Sequence, residues 1–292
     1  MKVKVRGFEM AYEDTGSAST SLSTPPLLLI HGFPLDRTLW AMQVRGLADV
    51  ARVIAPDLRG FGESGMPRTT SPTVPSPDRN ESTTGEGMRP AGAVTMDTYA
   101  DDLRGLLDAL GVKSAVVAGL SMGGYIAFAF YRKNAARVRG LILADTKAGP
   151  DSPEGKKGRD DNIVLVRAQG AGAVGDKMLP KMLTPKTAAE RAGIANAARA
   201  MMARQPVAGV VAALEAMRDR ADSTPTLAEI KAPTLVVTGA EDALIPPKEA
   251  EAMRDAIRGA RLVSIPGAAH LANLDQPDAF NAAVREFLKT VA

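Results

Sequence analysis

The 292-residue chain has no cysteine, two histidines, one tryptophan and only 4% aromatic residues. Without cysteine there are no disulfides and no thiolate metal sites. The absence suits a reducing compartment, and a cytoplasmic location is expected. Long apolar runs are also missing. Nothing approaches the ~20 residues of a membrane span, and no membrane partner is expected. Leu27-Leu28-Leu29-Ile30 follows Pro25-Pro26 and is too short to read as a signal peptide. Dense basic runs are lacking as well: 36 Lys and Arg are scattered among 33 Asp and Glu, for a net charge of +3. That balance argues against a nucleic-acid partner. Asn80-Glu81-Ser82 matches a glycosylation sequon and reads as a chance match.

What remains is the composition of a globular protein, 45% hydrophobic and 24% charged. Alternation through Val3, Val5, Phe8, Met10 and Tyr12 predicts two short strands turning at Arg6-Gly7. Short apolar runs at Leu27–Ile30, Arg52–Ala55, 114–118, 139–144, 234–238 and 261–265 read as strands covered on both faces. Helical spacing appears between them: Thr38–Leu47 with Asp36 as cap, Met96–Leu110, a helix to Asn134, Pro247–Ile257, and one starting near Pro277. Repeated strand-helix units predict a mainly parallel sheet with helices on both faces. From Gly149 to Thr224 no strand pattern occurs, which predicts a helical insertion. The Ser-, Thr-, Pro- and Gly-rich stretch at 65–95 predicts a long surface loop within the core.

The chemistry centres on Gly119-Leu120-Ser121-Met122-Gly123, set between an apolar strand and a helical pattern. A serine on such a turn is exposed at the top of the sheet, and the glycines admit a strained backbone and close packing. A serine hydroxyl needs a neighbouring base to become a nucleophile. His270 follows one predicted strand end and Asp242 another, and functional loops gather at such ends. In this reading Ser121 attacks a carbonyl carbon, His270 moves the proton, and Asp242 orients the imidazole. Backbone N–H groups of Phe33 and Met122 are the expected oxyanion donors. His31 is read as a brace for the loop at Phe33, and Asp145 as the rival to Asp242. Gly60-Phe61-Gly62-Glu63-Ser64-Gly65 fits a dinucleotide fingerprint literally. Pro67 and a polar loop follow it instead of a helix, so a tight turn is expected, with Asp57 and Arg59 able to pair there. No cofactor and no metal are expected.

His31-Gly32-Phe33-Pro34, Pro56-Asp57-Leu58-Arg59-Gly60-Phe61-Gly62-Glu63-Ser64, the Ser121 turn, Gly239-Ala240-Glu241-Asp242 and the His270 region occur in that order. With them the chain resembles the α/β-hydrolase superfamily, and within it small bacterial carboxylesterases and 3-oxoadipate enol-lactonase-like hydrolases. Residues 144–155 favour that subgroup. The resemblance implies a mainly parallel eight-stranded sheet flanked by helices, with a helical cap at 149–225 after the sixth strand and a core at 1–148 and 226–292. It departs from the family pattern in two places: Ala269 stands where a glycine usually precedes the histidine, and the 65–95 loop is longer. Expected pocket residues are Phe33, Trp40, Met122, Met178 and Met182, with core packing the alternative for Phe33, Trp40 and the methionines of the insertion. The expected activity is hydrolysis of small, mostly apolar carboxylic esters by a monomer or small homo-oligomer, with the ester and water as its partners. Enol-lactone hydrolysis is the alternative, for which a cap arginine among Arg167, Arg204 and Arg218 would bind a carboxylate. Perhydrolase or cofactor-free haloperoxidase activity, carbon–carbon hydrolysis and a non-catalytic receptor complete the set.

Overall fold

The computed structural model describes residues 1–16, 24–67 and 93–292. Most of the expected 65–95 loop, and Asn80 with it, lies outside the described residues. Eight strands form one sheet in the order β1-β2-β4-β3-β5-β6-β7-β8. They are β1 (Lys2–Val5), β2 (Phe8–Asp14), β3 (Leu27–Ile30), β4 (Val53–Pro56), β5 (Ala115–Leu120), β6 (Val138–Ala144), β7 (Thr234–Gly239) and β8 (Arg261–Ile265). β1 and β2 are a hairpin, and β2 pairs antiparallel with β4. From β4 to β8 every pairing is parallel. Arg6 and Gly7 both take positive φ, 43° and 87°, the backbone of a tight two-residue hairpin turn.

Buried strands alternate between two cores. Val117, Leu141 and Leu143 face one cluster; Val116, Ala118, Leu120, Ile142 and Ala144 face the other. This is the two-residue period of a sheet covered on both sides. A 3₁₀ turn at Arg37–Trp40 leads into α1 (Ala41–Leu47), and Asp36 caps it by accepting from Thr38 N–H. α2 (Met96–Ala109) begins with a Thr95–Thr98 capping box, and α3 (Met122–Asn134) follows β5 directly. α2 and α3 enter the first core through Tyr99, Leu103, Phe128 and Phe130. α1 and α12 (Pro277–Leu288) enter the second through Val44, Leu47, Phe280 and Phe287. Truncating a buried phenylalanine such as Phe128 to alanine should cost about 3–5 kcal/mol.

Between β6 and β7 runs a helical block, as expected: α4 (Pro153–Gln169), α5 (Ala171–Met182), α6 (Pro185–Glu190), α7 (Ala192–Ala203) and α8 (Val207–Arg218), then the short α9 (Thr224–Leu227). α10 (Pro247–Ala256) joins β7 to β8. A one-turn helix, α11 (Ala272–Asp275), precedes α12; its four residues are too short for a readable period. Among the described residues no helix is long and apolar enough to cross a membrane.

Candidate active site

Ser121 sits between the last residue of β5 and the first of α3, with φ 55° and ψ −114°. Positive φ is unfavourable for a residue with a Cβ, and such strain costs about 1–3 kcal/mol. Local contacts hold it there. Ser121 N–H donates to Ala144 O at 2.9 Å, and Thr146 Oγ1 donates to Ser121 O at 2.8 Å. Gly119 and Gly123 are required by close approach. A Cβ on Gly119 would lie 2.1 Å from Gly123 O, and one on Gly123 would lie 2.3 Å from Ile30 O. The elbow is therefore clamped against β3 and β6. The Ser121 side chain is half-buried, and its hydroxyl makes no hydrogen bond among the described residues.

Asp242 and His270 come together from 28 residues apart. The carboxylate sits just past β7, where Oδ1 accepts from Leu244 N–H at 2.8 Å and Ile245 N–H at 2.9 Å. Those bonds aim Oδ2 at His270 Nδ1, 2.8 Å away. Both side chains are buried. The two loops are laced by Ala240 N–H to Ile265 O and Glu241 N–H to Ala268 O. The N–H of Ala269, which precedes the imidazole, donates to Asp275 Oδ2 at 2.8 Å.

His31 has a different environment. Its Nδ1 faces Gly32 O at 2.9 Å, and its Nε2 accepts from Leu58 N–H at 3.0 Å. With backbone on both nitrogens the ring is a brace, as expected, and has no free lone pair for a substrate. Burial pushes its pKa below 6.5, against the Gly32 contact and the charges of Asp57 and Asp36, which pull upward. The brace places the Gly32-Phe33 peptide at the elbow: a Cβ on Gly32 would lie 3.4 Å from Ser121 Cβ. Neither Phe33 N–H nor Met122 N–H donates to an acceptor among the described residues. Two unused donors therefore flank Ser121.

Asp145, the rival acid, is buried at φ 45°, and the hydrogen bond of the imidazole Nδ1 goes to Asp242 instead. Its Oδ1 accepts from Gly239 N–H at 2.7 Å, and its Oδ2 has no hydrogen-bond partner among the described residues. Burial above all, then the nearby Asp242, holds its pKa well above the usual carboxylate range. It is Asp242 that holds His270. The pairing of Asp57 with Arg59 does not form. Asp57 takes Arg37, and Arg59 makes a two-pronged bond to Asp102, each N–O distance 2.6 Å. Asp57 thereby ties its own loop to the residues following Phe33.

Of the expected pocket residues, Trp40 is completely buried against Phe280, with ring centroids 6.0 Å apart, in the core under α12. Phe33, Met122 and Met182 are buried too, and Met178 is half-buried between the two cores. The arginines considered as carboxylate binders are paired with acids. Arg204 bonds to Asp36 at 2.8 and 2.9 Å, Arg218 to Asp160 and Asp219, and Arg167 to Glu215 at 3.7 Å. Gln205, Thr184, Arg191 and Asp275, which tie the helical block to these loops, carry no spacing signal in the sequence. Among the described residues no group of three His, Asp or Glu side chains could hold a metal ion.

A family profile for the alpha/beta hydrolase fold matches residues 25–277. A thermophilic esterase from Thermogutta terrifontis, solved with malate bound, shares 41% identity and a TM-score of 0.87, covering 100% of this chain and 99% of that one. The enol-lactonase of Burkholderia xenovorans LB400 shares 28% identity and a TM-score of 0.83, covering 99% and 100%. The 3-oxoadipate enol-lactonase 1 of Acinetobacter baylyi is 25% identical over 92% of this chain and 90% of its own. The chain belongs to the alpha/beta hydrolase family.

Proposed function

We propose that this hydrolase is a cytoplasmic serine carboxylesterase that cleaves small, mostly apolar esters through an acyl-enzyme. The observation that carries the reading is the strained Ser121 elbow at the end of β5 together with an imidazole, past the end of β8, whose Nδ1 is fixed by Asp242. With Nδ1–H given to Asp242, Nε2 is the basic nitrogen, as a general base requires. The Ser121 hydroxyl turns toward it as an ester binds. Its oxygen attacks the carbonyl carbon while Nε2 takes the proton. The carbonyl oxygen becomes an oxyanion, received by the N–H groups of Phe33 and Met122; one such donor is worth about 3–4 kcal/mol. The imidazolium then protonates the leaving alkoxide, and the alcohol departs. Water, deprotonated by the same nitrogen, releases the acid and restores Ser121.

The helical block between β6 and β7 serves as the cap over this site. Met178 and Met182, with Phe33 and Met122, suit an adaptable apolar acyl pocket. The pairing of the block's arginines supports a neutral ester over an anionic lactone. Each arginine between residues 149 and 225 already has a partner: Arg159 and Arg220 on Asp151, Arg167 on Glu215, Arg191 on backbone carbonyls, Arg199 on Asp176, Arg204 on Asp36 and Arg218 on Asp160. Recruiting one to a substrate carboxylate would break an existing pair.

The likeness to enol-lactonases supports the second reading, enol-lactone hydrolysis with the same three side chains. A series of 4-nitrophenyl esters from acetate to octanoate, run beside an enol-lactone bearing a carboxylate, separates the two. The esterase reading expects a burst of nitrophenol and a kcat/KM maximum at short chains, exceeding the lactone value at least about tenfold. A lactone preferred over every ester would reverse the assignment.

A further inference from the structure

The residues on either side of His270, Ala269 and Leu271, are held by one carboxylate and by the helical block. Asp275, five residues past His270 at the end of α11, is completely buried. Its Oδ2 accepts from Ala269 N–H at 2.8 Å. The same carboxylate faces the other way onto Thr184, the residue capping α6. Both oxygens lie 3.3 Å from Thr184 N, and Oδ1 lies 3.3 Å from Thr184 Oγ1. On the other side of His270, Leu271 N–H donates to Met182 O at 2.8 Å. Arg191 closes the joint from α7's start, donating to Asp275 O at 2.6 Å and Leu274 O at 3.2 Å. It takes the backbone oxygens and leaves the carboxylate to neutral donors.

A buried carboxylate without a cation is a costly way to build a structural joint. Its advantage is capacity: two oxygens accept from several donors, and they can do so from opposite sides. An amide of the same shape would present an NH₂ to one of those N–H groups. The α5–α6 junction, Met182–Thr184, is therefore joined to the base loop on both sides of the imidazole. Met182 is also one of the expected acyl-pocket residues.

We propose that Asp275 is a positioning residue, which couples the seating of the α5–α6 junction over the acyl pocket to the alignment of His270. This rests on the serine-esterase reading above. A substrate filling the pocket would press Met182 and Thr184 into the position that fixes the base loop. Asp275 touches neither ester nor Ser121, so its loss should appear in the chemical step and little in binding.

The test is steady-state kinetics with a short-chain 4-nitrophenyl ester on Asp275→Asn, Thr184→Val and, as a stability control, Val112→Ala. Val112 is buried in the first core, remote from the joint in sequence. Displacing a reacting group by about 1 Å can cost up to about 100-fold. Asp275→Asn should therefore lower kcat about 10- to 100-fold, with KM within about threefold. Thr184→Val keeps the N–H donor and should lower kcat about two- to fivefold. Val112→Ala should lower the melting temperature with kcat within about twofold. Asp275→Asn retaining kcat within about twofold, or Val112→Ala losing kcat as Asp275→Asn does, overturns the coupling. If Asp275→Asn does not fold, Thr184→Val decides, and an unchanged kcat there overturns it. A wild-type enzyme without a nitrophenol burst overturns the esterase reading and this role with it. A wild-type burst with an unaffected Asp275→Asn overturns this role alone.

Discussion

The two histidines occupy equivalent-looking places, each buried in a loop just past a parallel strand, yet they are built for opposite tasks. His31 spends both ring nitrogens on backbone groups, Gly32 O and Leu58 N–H. His270 spends only Nδ1, on Asp242. The aspartates divide by partner instead. Asp242 has two N–H groups on one oxygen and the imidazole on the other, whereas Asp145 has one N–H and an orphaned oxygen. Burial is common to all four. Between the histidines, what separates a base from a brace is whether a ring nitrogen is left after the protein's own bonds are made; between the aspartates, it is which one the imidazole takes as its partner.

The largest expected effect tests the histidines. His270→Gln should lower kcat about 10⁴- to 10⁶-fold, as far as Ser121→Ala, because the two act as one unit. His31→Gln should cost about 10- to 100-fold, through displacement of the Phe33 donor. Equal losses in steady-state assays would erase the distinction. Next come the aspartates. Asp242→Asn should lower kcat about 10⁴-fold by leaving the imidazole in the wrong tautomer. Asp145→Asn keeps an acceptor for Gly239 N–H and should stay within about threefold. A larger loss in Asp145→Asn than in Asp242→Asn would exchange their roles.

Smaller effects appear in stability against pH. The folded protein keeps His31 neutral, with its pKa below 6.5. The unfolded chain then binds more protons in that window, so this contribution is full above the ordinary histidine value and fades as pH falls through it. Thermal melts from pH 8 to about 5 should fall less steeply for His31→Gln than for wild type. Asp145 runs the other way. Its folded pKa lies well above 3.8, so the folded state holds the extra proton and stability declines as pH rises through that range. Asp145→Asn should gain on wild type as pH increases, and parallel melting curves would contradict the raised pKa of the buried acid.

Much of the frame was legible in the sequence because its signals are local. Val116–Leu120 and Leu141–Ala144 are apolar on successive residues, as strands covered twice must be, and the glycines around Ser121 mark a turn that admits no side chain. The order of Ser121, Asp242 and His270 on three strand ends was legible too, since a parallel sheet gathers those ends. Trp40 illustrates what was not. An aromatic residue after the Phe33 loop fits a pocket wall or a core equally well, and its contact with Phe280 spans 240 positions. The Arg204–Asp36 and Arg59–Asp102 pairs were hidden for the same reason: a charge shows no preference for its partner along the chain. Asp275 was missed because one acid on a one-turn helix has no periodicity.

The central claim, that Ser121 is the nucleophile activated by His270, is tested most directly by peptide-level mass spectrometry after a fluorophosphonate reaction. One adduct on Ser121 in the wild type, lost in Ser121→Ala and slowed at least about 10³-fold in His270→Gln, is the predicted result. An adduct on another residue, or a wild type that turns over esters while staying unlabelled, would contradict it.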